Sequence, residues 1–106
     1  MTETIADIVA AHRSGKMSPR ETVARSFARI REHNDSAIFI SLRDEAEAVA
    51  EAEALSKKDA AHLPLFGVPV AVKDNIDVAG LPTTAACPAF SYMPEKDATA
   101  VQRLRA

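Results

Sequence analysis

An apolar run that ends on a charge constrains this chain more than any other stretch. Gly67-Val68-Pro69-Val70-Ala71-Val72-Lys73 is followed at once by Asp74-Asn75-Ile76-Asp77. Strand alternation places Val68, Val70 and Val72 on one face and Ala71 and Lys73 on the other. Pro69 and Ala71 are apolar as well, so the pattern predicts a strand over 68–73 covered on both faces, as in a central position of an α/β sheet. The carboxyl end of such a strand is where open α/β folds bind ligands. An ammonium placed there must reach water, pair with an anion such as Asp74 or Asp77, or lose its proton. A lysine in water keeps its proton at neutral pH. A desolvated one can release it and serve as a base. The residues by themselves leave both readings open.

At 106 residues the chain is about one small domain. Hydrophobic residues make up 47%, but aromatics only 5%, with no Trp and many Ala. A core of such small side chains is expected to be completed by material outside this chain. Thirteen Lys and Arg against fifteen Asp and Glu give a net charge of -2. Lys57-Lys58 is the one adjacent basic pair, which excludes the basic stripe that a phosphate backbone needs. A lone Cys87 cannot form an internal disulfide, and it points to a reducing compartment. Met1-Thr2-Glu3-Thr4 lacks the basic start of a signal peptide, and no run reaches membrane-spanning length. The expectation is a cytoplasmic protein without nucleic-acid or membrane partners.

Residues 3–13 carry Ile5, Ile8 and Val9 at helical spacing, and Gly15 stops the helix. Ser18-Pro19-Arg20-Glu21 combines a capping box with Pro at the first helical position. The helix it opens shows Val23, Phe27 and Ile30 on one face and ends near Asn34-Asp35. Ala37–Leu42 reads as a short strand. An Ala/Glu-rich helix is predicted over 44–58, with Ala46, Val49, Ala50 and Ala54 as its packing stripe. Between Asp74 and Pro94 the chain carries Gly80, Pro82, Pro88 and Pro94 and reads as irregular; a loop of that length suggests function. Asp97 is expected to cap a last helix through Thr99, Val101 and Leu104, which the end at Ala106 cuts short. The organisation expected is one incomplete domain, helical over 1–60, with the lysine strand and its loop over 61–106.

Other candidate chemistry is thinner. Asp74, Asn75 and Asp77 offer oxygen ligands to a hard cation, but turn and capping roles fit their spacing better. Cys87 has no sequence partner among His12, His33 and His62, so it reads as a packed thiol, and the scattered histidines give no zinc pattern. Gly15-Lys16-Met17 lacks the remaining residues of a phosphate loop. Ser91 and Tyr92 suit a substrate contact and a surface role equally. No metal or cofactor is expected.

The segment from Pro64 to Asp77 resembles the start of the amidase signature family, whose Gly-[Val/Ile]-Pro-x-x-x-Lys-Asp strand leads into a Pro-Thr-Thr loop. Here that loop is Gly80-Leu81-Pro82-Thr83-Thr84, and Asp97-Ala98-Thr99-Ala100-Val101 looks like the family's next helix start. So many Gly, Pro, Lys, Asp and Thr positions in order make the match specific. Within the family, Thr83-Thr84-Ala85-Ala86-Cys87-Pro88-Ala89-Phe90-Ser91-Tyr92 looks most like the allophanate hydrolase branch. General amidases and tRNA-dependent amidotransferase A subunits are the alternatives, and a non-catalytic fragment is a third.

The resemblance implies an α/β fold, a mixed β-sheet core flanked by helices, of which this chain is a truncated N-terminal portion. It also implies a Ser–cis-Ser–Lys triad in which Lys73 is the catalytic lysine. Its neutral amine would take a proton from the serine on the cis peptide, which relays transfer for the nucleophilic serine. Asp74 and Asn75 are the candidates to support it. Neither triad serine is expected here, because none of Ser14, Ser18, Ser26, Ser36, Ser41, Ser56 and Ser91 lies in the family's Gly/Ser-rich motif. The chain by itself is therefore expected to be inactive. Implied partners are a small-molecule amide, a functional link to urea carboxylase, and a second copy of the full-length protein in a homodimer.

Overall fold

The computed structural model describes residues 2–106, in two compact units. One holds the residues up to Asp35 together with Asp44–Val70; the other holds Ser36–Arg43 and Ala71–Ala106.

The first unit is helical. α1 spans Ile5–Ser14 behind a Thr4–Asp7 capping box, and Gly15 ends it at φ 78°, a left-handed conformation that suits glycine. α2 spans Pro19–His33, opened by the predicted Ser18–Glu21 box and closed by Asn34 at φ 51°. α3 spans Glu45–Ala54, where Asp44 accepts from the Glu47 amide, and continues as a 3₁₀ turn over Leu55–Lys57. A second 3₁₀ turn, Ala60–His62, is tied to α1 by Arg13, which donates to the Ala60 and Leu63 carbonyls, both at 3.2 Å.

α2 packs on α3. The buried side of α3 is Ala52, with Glu45, Ala48, Val49 and Leu55 half-buried, whereas Ala46, Ala50 and Ala54 face solvent. The predicted stripe therefore lies mostly on the wrong side. Alanine occurs on both sides of this helix, so composition does not choose between them.

Polar groups hold the centre of this unit. His12 is buried between α1, α2 and the Phe66 turn, its Nδ1 2.8 Å from the Phe66 carbonyl and its Nε2 2.6 Å from Thr22 Oγ1. A carbonyl only accepts, so Nδ1 carries the proton and, in the neutral ring, the Thr22 hydroxyl donates to Nε2. Val9 and Phe66 complete the buried cluster, with the Phe66 ring edge-on to the imidazole.

Both capping boxes depend on an ionised carboxylate. Asp7 and Glu21 are each held below the usual carboxylate value, chiefly by the backbone amide of the cap residue (Thr4 and Ser18) and next by its side chain. A lowered carboxylate contributes stability above its unfolded pKa and loses it as pH falls through the folded value. Acid titration followed by circular dichroism should show the α1 and α2 starts fraying as pH falls below the ordinary carboxylate range. In Asp7→Asn/Glu21→Gln that acid-dependent step should be gone.

The second unit is mostly irregular. It contains a 3₁₀ turn over Pro88–Phe90, α4 over Thr99–Arg105, and an isolated antiparallel bridge between Thr83 and Tyr92. Among the described residues no strand forms, at 37–42 or at 68–73, and the expected mixed sheet is not built by this chain. A strand exists only where a neighbour completes its ladder of hydrogen bonds, and these runs have none here. Several of their apolar side chains remain open, Ile38 at 55% and Ile40 at 59% exposure in one run and Val70 at 55% in the other.

Asp97 does not cap α4 either. Ala98 occupies the cap without a side-chain bond, while the Asp97 carboxylate accepts from the Ala79 amide at 2.7 Å and pairs with Arg105 at 3.2 Å. Only Val101 of the expected apolar positions is buried.

Candidate functional site

Lys73 opens a tight turn in the second unit, closed by the Ile76 amide donating to the Lys73 carbonyl at 3.0 Å. Pro69, Ala71, Val72 and Lys73 are all exposed, so the predicted double-sided cover is absent. Among the described residues the Lys73 ammonium has neither an ion pair nor a hydrogen bond. Of the fates open to it from sequence, the geometry removes pairing with Asp74 or Asp77 and leaves the residue open to water in this chain. Both carboxylates are taken by other donors.

Asp74 gathers the following loop. Its carbonyl accepts from the Thr84 and Ala85 amides at 3.2 and 3.1 Å, and its Oδ2 accepts from Thr84 Oγ1 and from the Ala86 amide at 3.4 Å. Those bonds hold a turn that its residues resist. Ala85 and Ala86 stand at φ 50° and 58°, and the Cys87 amide donates to the Thr84 carbonyl at 2.8 Å. Two successive positive φ values with that bond make a type I′ turn, which usually takes Asn-Gly. Left-handed alanines cost roughly 1–2 kcal/mol each. Asp74 offsets that cost from outside the turn.

Asp77 secures the base of the same loop. Its Oδ1 accepts from Thr83 Oγ1 at 2.8 Å and from the Tyr92 hydroxyl. Thr83 and Tyr92 also exchange backbone bonds at 2.9 and 3.1 Å, and Thr83 is only 2% exposed. Donation to Asp77 pushes the Tyr92 hydroxyl above the ordinary tyrosine value. The Asp77 carbonyl takes the Ala98 amide at 2.9 Å, tying the turn to the start of α4.

The structure thus brings together Lys73, Asp74, Asp77, Thr83, Thr84 and Tyr92. Asn75 lies on the same turn, exposed and with no side-chain bond among the described residues. Cys87 is exposed rather than packed, correcting its expected role as a buried thiol. Asp74 and Asp77 take the turn and loop roles their spacing suggests. Among the described residues no cluster of three or more His, Cys, Asp or Glu could hold a metal ion. No helix there is long and apolar enough to cross a membrane.

A family model described as Amidase matches residues 21–106, which contain the whole Lys73 turn and its loop. The chain belongs to the Amidase family. A urea amidolyase of Saccharomyces cerevisiae is 64% identical over 50 residues, 47% of this chain and 3% of the yeast protein. An amidase of Pseudomonas putida is 36% identical over 104 residues, 96% of this chain and 22% of the relative. A solved structure of Kluyveromyces lactis allophanate hydrolase superposes with TM-score 0.75 at 36% identity, over 96% of this chain and 17% of that one. The chain therefore spans less than a quarter of each of these Amidase-family proteins.

Proposed function

We propose that this chain supplies the lysine-bearing segment of an amide hydrolase of the Ser–cis-Ser–Lys type, acting on allophanate and releasing ammonia and carbon dioxide. The observation that carries the reading is the state of Lys73. It stands beside two carboxylates and pairs with neither, so no ion pair occupies the side chain that the family pattern makes the proton acceptor. Asp74 and Asp77 hold the loop that follows, and Asn75 lies exposed on the same turn. Both triad serines, and the amides that would stabilise the reaction's oxyanion, are assigned to other parts of the full-length protein. In this reading the nucleophilic serine bonds to the amide carbonyl carbon, the C–N bond breaks and water then hydrolyses the acyl-enzyme. Lys73 Nζ accepts the proton relayed from the serines, and the relay returns it to the leaving nitrogen.

Allophanate is favoured within the family by the high identity to a urea amidolyase and by the likeness to an allophanate hydrolase structure. A link to a urea-carboxylating activity, which would supply that substrate, belongs to the same proposal, as does action in the cytoplasm. The Pseudomonas putida amidase, which aligns over nearly the whole chain, favours a second reading as an amidase of broader range. Ammonia release by the full-length protein, measured on allophanate and on a panel of simple amides, separates the two. Turnover confined to allophanate is expected. Equal turnover of simple amides would place the protein with the general amidases.

A further inference from the structure

We propose that Thr84 and Tyr92 are positioning residues for Lys73, because their hydroxyls hold the carboxylates of Asp74 and Asp77 in the loop, where neither pairs with its ammonium. The inference rests on the reading of Lys73 as a proton acceptor. Asp74 adjoins Lys73 in the chain, and Asp77 lies one residue beyond the turn that Lys73 opens. Either carboxylate is within the reach of a flexible lysine, yet Asp74 holds Thr84 and the Ala86 amide, and Asp77 holds Thr83 and Tyr92. Hydroxyl and amide bonds to a carboxylate are charge-assisted and stronger than neutral ones. They fix which way each carboxylate points.

The remaining charges of the unit do not substitute for this arrangement. Asp97 is engaged by the Ala79 amide and Arg105, and Glu95 is exposed without an ion pair to Lys73. Arg43, Lys96, Arg103 and Arg105 are cations and repel an ammonium. Cys87, the other titratable group of the loop, lies just past the strained turn. The consequence is chemical. A carboxylate beside an ammonium makes it hold its proton more tightly, which removes the neutral amine that a proton acceptor needs. Carboxylates engaged by Thr84 and Tyr92 form no direct pair with Lys73.

The test reads the amine directly, without turnover. The full-length protein is labelled competitively with acetic anhydride across a pH series, and acetylation of the Lys73 peptide is followed by mass spectrometry. Thr84→Val/Tyr92→Phe should be labelled at Lys73 about threefold more slowly at neutral pH, as expected for a partly exposed ion pair. High salt should restore the rate, because it screens such a pair. Thr84→Ser, which keeps the hydroxyl, should match the parent protein. Unchanged or faster labelling would overturn the proposal, since mere loosening of the loop exposes the lysine further. If Thr84→Val fails to fold, Tyr92→Phe alone decides, because the Tyr92 ring is exposed. Slower labelling with full turnover in Lys73→Ala would leave this proposal standing and refute the catalytic role; unchanged labelling with lost turnover would do the reverse.

Discussion

Gly67→Ala is expected to destabilise the full-length protein by roughly 2–5 kcal/mol, seen as a lower midpoint in urea or on heating. Two independent costs add. Gly67 stands at φ 74°, where a side chain is strained whatever the space around it. A Cβ there would also lie 2.7 Å from His12 Nδ1 and 2.8 Å from Pro19 Cβ. The imidazole has no room to retreat, because Phe66 and Thr22 hold its two nitrogens. Pro19 is equally fixed, at the first position of α2. A substitution of one methyl therefore strikes the point where α1, α2 and the Phe66 turn meet. An unchanged midpoint would mean that the buried histidine cluster does not hold this unit together.

Signals acting within a few residues were legible in the sequence. Ser18 with Glu21, Pro19 at the helix start, and Gly15 at a helix end are each decided by neighbours within one turn, and each stands where its pattern placed it. Signals that need a distant partner were not. The runs at 37–42 and 68–73 have strand composition, but a strand is a property of a pair. α3 shows Ala on both sides, and only its contact with α2 selects Ala52 over Ala50. Asp97 looks like a cap, yet the Ala79 amide, far away in sequence, takes its carboxylate.

The same division holds at the candidate site. Lys73 stood out through its place after an apolar run and through the family pattern around it. Which groups Asp74 and Asp77 would choose was not readable, because Thr84 and Tyr92 reach them across the loop, ten and fifteen residues on. His12 gave no signal at all. Its partners, Thr22 and Phe66, sit on other elements and carry no motif.

The second large effect concerns Lys73 itself. Its side chain is exposed and unpaired, so replacing it should change stability by no more than about 0.5 kcal/mol. Removing one member of a catalytic unit, by contrast, typically costs a thousandfold or more in turnover. Few substitutions separate folding from chemistry so cleanly. The deciding measurement is the steady-state rate of ammonia release from allophanate by the full-length protein and by Lys73→Ala, each first shown to melt at the same temperature. Loss of turnover by roughly a thousandfold or more, with the fold intact, is the result predicted. Turnover retained in the folded variant would contradict the role of Lys73 as the proton acceptor of an amide hydrolase.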